Sequence, residues 1–339
     1  MRGVLGKSLF LSLLFVMGLP VSGIAENHSN ADAKKDTPAL IEPADEKEDA
    51  PTPAEPVPSR FGEHPVDEAY GAFQRGLYLT ARNLAKPRAE DGDPAAQALL
   101  AEIYARGLGV PRDVETAAFW YEKAAEQGVP EAQFQFALLL LKRSSKGEAE
   151  YEQATALMKT AADSGNAQAQ FNYAQLLLAQ QPGSSGQVNA FEYFKAAAEK
   201  DIADAQYALS QYYLSGNGNV VPDVKEARRW LEKAASQNFD TAQFELGNML
   251  LSGVGGSRDL ESGFGLIKGA AISGNVSAQI AVAKLYWGGI GVEPDSVEAA
   301  AWLILARRAG LNDAVLEDFW EGLSAETQQA ALIRANRLR

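Results

Sequence analysis

Cysteine is absent from this chain of 339 residues, and histidine occurs only at His28 and His64. Without thiols there is no disulfide, no thiolate nucleophile and no thiolate metal ligand. With both imidazoles near the N-terminus, the rest of the chain also lacks the usual nucleophile–base pairs and histidine metal sites. The active-serine patterns Ser-x-x-Lys and Gly-x-Ser-x-Gly do not occur, nor does a full Gly-x-x-x-x-Gly-Lys-Ser/Thr phosphate loop. Carboxylate pairs such as Glu148/Glu150 and Asp91/Asp93 read as loop or helix-end residues, and nothing sets two of them across a cleft as a glycan hydrolase needs. The expectation is a protein that is not an enzyme, with no cofactor and no metal.

Positive charge is also short. Lys and Arg number 31 against 44 Asp and Glu, a formal net charge of −13. Such a chain repels phosphate backbones and anionic lipid, so nucleic acid is excluded as a partner, while cationic segments are attracted. Long apolar runs are lacking too. The run Leu9–Leu19 is well short of the ~20 residues that span a bilayer. With Arg2 and Lys7 before it and the small residues Gly23-Ile24-Ala25 after it, it reads as a signal peptide over 1–25. Cleavage near Glu26 removes two positive charges and takes the net from −13 to −15. A periplasmic (or secreted) location follows, without stable membrane insertion; with no Cys, a bacterial lipoprotein anchor is excluded. Residues 26–62 carry nine acidic against four basic residues and six prolines. They bury too little apolar area to fold and read as a disordered linker.

What the chain has is period. An Ala-Gln pair recurs at Gln97, Gln133, Gln170, Gln206, Gln243 and Gln279, with gaps of 36, 37, 36, 37 and 36 residues. Four places after each Gln stands a small residue (Ala101, Ala137, Ala174, Ser210, Gly247, Ala283), and seven places after it a large apolar one. Small residues let helix backbones approach, and large neighbours fill the space beside them. A second helix is marked by Ala-Ala pairs such as 124/125 and 161/162. It stops at Gly128, Gly165, Asp201, Asn238, Gly274 and Gly310, residues that tolerate the left-handed conformation. No strand-type alternation competes, so the fold class is all-α, an α/α superhelical solenoid of helix–loop–helix repeats. The regular aromatics Phe134, Phe171, Tyr207 and Phe244 read as inter-helix core.

The inner loop reads Gly107-Leu108-Gly109-Val110 and Gly289-Ile290-Gly291-Val292, followed by Asp113 and Asp295, with degenerate versions at Gly216–Gly218 and Gly253–Gly256. Gly253–Arg258 superficially suggests a phosphate cradle, but it stands in register with the other inner turns. With this loop and a unit of 36 to 37 residues, the chain resembles the Sel1-like repeat family, a cousin of the tetratricopeptide repeat. The resemblance covers six repeats over 95–312; the second and third depart from it, with Lys142–Lys146 and Gln181–Ser185 in place of the glycine turn. An N-terminal helical pair is expected over 63–94, with Pro87 kinking or shortening its second helix. Capping helices are expected over 313–339, the last one starting at Ser324.

The resemblance implies a protein–protein interaction scaffold or regulator, in bacteria often of the envelope; some periplasmic relatives restrain a sensor kinase controlling exopolysaccharide. Two alternatives stay open: a cell-wall or β-lactam hydrolase, known among cysteine-rich relatives, and a glycan- or peptidoglycan-binding module. In helical-pair solenoids the first helix lines the concave face, and the second and fifth places after the repeat Gln share one side of it. They hold Leu99 and Glu102, Gln135 and Leu138, Asn172 and Gln175, Ala208 and Gln211, Glu245 and Asn248, Ala281 and Lys284. Amides both donate and accept, so Glu102, Gln135, Asn172, Gln175, Gln211, Glu245, Asn248 and Lys284 are the expected contacts for a protein or peptide partner.

Overall fold

The computed structural model describes residues 67–338; the expected signal peptide and linker lie outside the described residues. Among these there are sixteen α-helices, one short 3-10 turn at Asn217–Asn219 and no strand. An opening pair, α1 (Glu68–Gln74) and α2 (Tyr78–Glu90), precedes six two-helix units. Unit 1 is α3 (Pro94–Arg106) with α4 (Val114–Glu126), unit 2 is α5 (Pro130–Arg143) with α6 (Ala149–Asp163), and unit 3 is α7 (Ala167–Gln180) with α8 (Ser184–Ala198). Unit 4 is α9 (Ala203–Ser215) with α10 (Val224–Ser236), unit 5 is α11 (Asp240–Ser252) with α12 (Leu260–Ile272), and unit 6 is α13 (Val276–Gly288) with α14 (Ser296–Arg308). A shortened α15 (Ala314–Glu321) and α16 (Ala325–Arg337) end the array.

The helices form where local chemistry starts and stops them. Asp93, Asn166 and Asn275 cap first helices, and Asp113, Asp223, Asp259 and Asp295 cap second helices, each side chain accepting from a backbone N–H of the first turn. Ser324 caps α16 in the same way. The second helices of the six units stop at left-handed residues, and at two of these the residue is not glycine: Asp201 (φ 62°) and Asn238 (φ 63°). Short polar side chains tolerate that conformation best after glycine.

From α1 to α14 each helix packs on its chain neighbours, and α14 then packs on α16. The small residues four places after the repeat Gln sit at the contact. Ala101, Ala137, Ala174, Ser210 and Ala283 are fully buried, and a Cβ on Gly247 would lie 2.5 Å from Ile267 Cγ1. Opposite them, both members of the Ala-Ala pairs of the second helices are buried, from 124/125 to 270/271. Phe134, Phe171, Tyr207 and Phe244 join the core clusters between helices, as their spacing suggested.

Pro87 does not shorten its helix: α2 runs on to Glu90. A proline removes one N–H, and so close to the helix end the rest of the last turn still closes, with Asp91 N donating to Pro87 O at 3.0 Å.

The inner turns fall into two kinds. In units 1, 4, 5 and 6 the first helix ends on a left-handed glycine (Gly107, Gly216, Gly253, Gly289) and the second starts on a capping Asp. Between these, a second glycine lies against the first turn of the preceding second helix. At Gly291 (φ 71°) an added Cβ would stand 2.1 Å from Leu260 O. The corresponding distances are 2.9 Å from Gly255 to Val224 O and 2.9 Å from Gly218 to Gln187 O. In units 2 and 3 this turn has become helix. There α6 and α8 are 15 residues long, against 13 for the other second helices of the array. Neither has a side-chain cap, and the connection shrinks to 144–148 and 181–183.

Candidate functional site

The repeat glutamine is a clamp. All six are buried, and each donates its Nε2 to the carbonyl of the residue eight places earlier, near the end of the preceding second helix. The acceptors are Ala89, Ala125, Ala162, Ala198, Ala235 and Ala271, at 3.1 to 3.4 Å. Each of these carbonyls also accepts from the backbone N–H three places on (Gly92, Gly128, Gly165, Asp201, Asn238 and Gly274), so the amide fills the second lone pair at every unit boundary. This fixes how each first helix sits on the helix before it, and so where the exposed side of that helix falls. The amide oxygens are treated unequally: Gln97 and Gln206 accept from Gln127 and Gln237 at 2.8 and 2.9 Å, whereas Oε1 of Gln133, Gln170, Gln243 and Gln279 is buried with no partner among the described residues.

The row expected to face a partner is present on the first helices as half-buried and exposed polar side chains, but it is largely engaged within the protein. Glu102 accepts from Tyr121 Oη at 2.8 Å and from Arg106, and Gln135 donates to Glu131 Oε1 at 2.8 Å. Asn172 turns back to Gln168 O at 2.8 Å. Lys284 bonds Asp313 Oδ2 at 2.6 Å. Glu245 accepts from both Tyr207 Oη (2.8 Å) and Gln211 Nε2 (2.7 Å) of the unit before it. Only Gln175 and Asn248 of the eight have side chains without a hydrogen bond among the described residues. Leu99, at the start of the row, is buried in the opening core. The row is thus laced within the protein, with two open amides. Amides and carboxylates 34 to 38 residues apart meet because stacking brings consecutive first helices side by side.

The electrostatics follow the same lacing. Burial, and then the Glu102 carboxylate beside it, push the Tyr121 phenol far above its ordinary range; burial and Glu245 do the same to Tyr207. Both hydroxyls are thus fixed donors near neutral pH. A hydrogen bond from Lys284 holds the Asp313 carboxyl below the usual range despite partial burial. Tyr207 is the residue that spacing alone misplaced in part. Its ring is core like Phe134, Phe171 and Phe244, but its hydroxyl reaches the surface row, and the exchange of Phe for Tyr at that one position was the available signal.

This arrangement has a counterpart among known sequences. The Sel1 repeat matches six consecutive segments: 94–129, 130–166, 167–202, 203–239, 240–275 and 276–311. The chain belongs to the Sel1 repeat family. Among solved structures, it is similar to a protective antigen of uropathogenic Escherichia coli displaying an SLR fold (TM-score 0.65, 26% identity, 80% of this chain and 60% of that one). It is also similar to a Sel1 repeat protein from Oxalobacter formigenes (TM-score 0.60, 26% identity, 73% of this chain and 98% of that one). Among curated proteins, chitin synthase regulatory factor 3 of Schizosaccharomyces pombe is 29% identical over 232 residues, which is 66% of this chain and 25% of that protein. An uncharacterized protein of Neisseria meningitidis is 33% identical over 195 residues, 57% of this chain and 40% of that protein. The chain thus spans a quarter to two fifths of the length of these two relatives. Sel1 repeat proteins are in general scaffolds for protein interaction, and the all-helical solenoid with its laced polar row is the kind of surface that work uses. No described helix is long and apolar enough to cross a membrane.

Proposed function

We propose that this Sel1 array is a non-catalytic, exported scaffold that holds a protein or peptide partner along its first-helix row. The observation that carries this reading is the lacing itself. Side chains of α9 and α11 are bonded to one another across the unit boundary, and Lys284 of α13 reaches Asp313 at the start of α15, so the row holds two preorganised polar joints, one between units 4 and 5 and one between unit 6 and the end helices. Fixed donors and acceptors lose little freedom on binding, which favours affinity. Gln175 and Asn248 keep both amide groups open for a partner backbone. The N-terminal basic–apolar–small pattern supports export to the periplasm, and the formal charge of −13 supports a partner with basic segments. Regulation of an envelope polysaccharide is the process we favour, since a matched relative is named as a chitin synthase regulatory factor.

The test is a pair of variants. Gln175→Ala with Asn248→Ala weakens a partner captured from envelope extract about tenfold, roughly 1.4 kcal/mol. Lys195→Ala with Glu232→Ala, on second helices, leaves that affinity unchanged. Equal affinity in all forms places the binding surface elsewhere. N-terminal sequencing of protein from the periplasmic fraction of a native-like host finds a start near Glu26; an intact Met1 in the membrane pellet contradicts export by cleavage.

A further inference from the structure

A second surface lies on the second helices, where unit 2 lacks the glycine turn. In units 4, 5 and 6 that turn packs its second glycine on the first turn of the preceding second helix. Unit 2 has no such glycine to lay on α4, and between α4 and α6 a cleft of about 370 Å³ opens instead. Beneath it Phe136 and Leu140 of α5 are buried, so the surface it exposes is mostly polar and Phe119 is its exposed apolar group. Its α4 wall is Glu115, Ala118, Phe119 and Glu122, spaced i, i+3, i+4, i+7, one side of a helix. Phe119 is 50% exposed, and neither Glu115 nor Glu122 has an ion-pair partner among the described residues. The one basic residue in the cleft, Arg143, is already held by Glu150 in a two-pronged pair at 3.0 and 3.1 Å.

The other end of the array shows what fits such a wall. When capping Asp113 is aligned with capping Asp295, the four α4 residues fall on Val297, Ala300, Ala301 and Ile304 of α14. On that side of α14 the helix α16 packs directly, burying Ala331 and Ala335. There α16 holds the place that α6 holds after α4 and α5, and it closes directly on this side, whereas α6 stands off from α4. On α14 the side is apolar and is covered by the chain itself; on α4 it is apolar at its centre, acidic at both ends, and open.

We propose that the α4–α6 cleft docks an amphipathic helix of a partner protein, with a large apolar residue on Phe119 and Lys or Arg about seven residues apart facing Glu115 and Glu122. Two helical turns separate those glutamates, about 10 Å along the axis, which is the spacing that i and i+7 cations on a partner helix reproduce. A second copy of this chain is a poor occupant on charge, at −13 per chain. The site is separate from the first-helix row, so its variants and those of Gln175 and Asn248 report independently.

The absence of cysteine gives a clean probe: Gln153→Cys carries a single fluorophore on the α6 wall of the full chain. The titrants are two synthetic alanine-based helical peptides of equal charge, both with Lys seven residues apart, one with Leu and the other with Ser between them. The Leu peptide is expected to shift the fluorescence and bind at least tenfold more tightly than the Ser peptide. Phe119→Ala, and separately Glu115→Gln with Glu122→Gln, each reduce that binding tenfold or more, while Glu232→Gln on α10 leaves it unchanged. Circular dichroism melts confirm that these surface variants remain folded. No response to the Leu peptide, equal response to both peptides, or binding indifferent to the α4 variants overturns the proposal. Sedimentation showing that the labelled chain pairs with itself through Phe119 overturns it in favour of a second copy.

Discussion

Units 1, 4, 5 and 6 and units 2 and 3 solve the same joint in different ways. The first group spends seven or eight residues on an inner turn that starts with a left-handed glycine and ends with an Asp cap. The second group winds those residues into longer helices. The clamp glutamines and buried alanines are the same in both groups, so stacking does not depend on the turn. What the turn decides is the outer surface: in units 4, 5 and 6 its second glycine lies on the preceding second helix, with a shallow cleft of about 620 Å³ beside it at unit 6, whereas in unit 2 the cleft of about 370 Å³ lies between two helices, α4 and α6. A repeat can thus vary its surface without altering its core, because the two are built from different residues of the unit.

The sharpest way to break this comparison is to disturb a turn that is packed and one that is free. Gly291→Ala places a Cβ against Leu260 O in a left-handed conformation, and is expected to cost about 3 kcal/mol in a chemical-denaturation curve. Gly147→Ala has the same kind of backbone (φ 93°) with nothing within 4 Å of the new Cβ, and is expected to cost only about 1 kcal/mol. Equal losses would mean that the packed glycine is not what ties the turn to the neighbouring unit.

A smaller effect sharpens the comparison from the other side. In unit 1, Gln127 follows α4 and supplies a donor to the clamp Gln97; in unit 2 the equivalent place after α6 is Ser164, and Gln133 Oε1 is left buried and unpaired. Ser164→Gln makes unit 2 resemble unit 1 and is expected to stabilise the array by about 0.5–1 kcal/mol, read as a raised denaturation midpoint with an unchanged slope.

The smallest effect is acid sensitivity. Hydrogen bonds from Thr116 and Ser262 hold the capping carboxyls of Asp113 and Asp259 below their ordinary range. A carboxyl whose pKa is lowered on folding contributes stability above its unfolded value, near 3.9, and loses it as pH falls through the folded value. Hydrogen exchange at pH 5 and pH 3 is therefore expected to show the first turns of α4 and α12 loosening on acidification. The first turns of α6 and α8, which have no side-chain cap, change less. Uniform loosening would show that the caps do not set local stability.

Much of the fold was legible because it is encoded locally and then repeated. One Ala-Gln pair is weak evidence; six at 36 or 37 residues, in step with small, large and turn residues, fix helix pairs and their stacking partners. The left-handed stops at Asp201 and Asn238 were readable for the same reason. Pro87 was not, since whether a proline breaks a helix depends on how close the end already is. The candidate site was legible only in outline. Spacing put Glu102, Gln135, Asn172, Gln175, Gln211, Glu245, Asn248 and Lys284 on one side of the first helices, which is a property of the 3.6-residue turn.

By itself, then, the sequence determined the repeat, the all-helical class and the polar character of the first-helix row, all of which follow from periods within a unit. The stacking of units decided the rest. It turned the repeat glutamine from a marker into a clamp, joined Gln211 and Tyr207 to Glu245 from the unit before, and left a cleft between α4 and α6. The clamp joins a side chain to a carbonyl eight residues back, across a helix boundary; the others are relations between side chains some 30 or more residues apart, or between the walls of a cleft. Their geometry is set by how one helix pair rests on the next, which no spacing along the chain specifies.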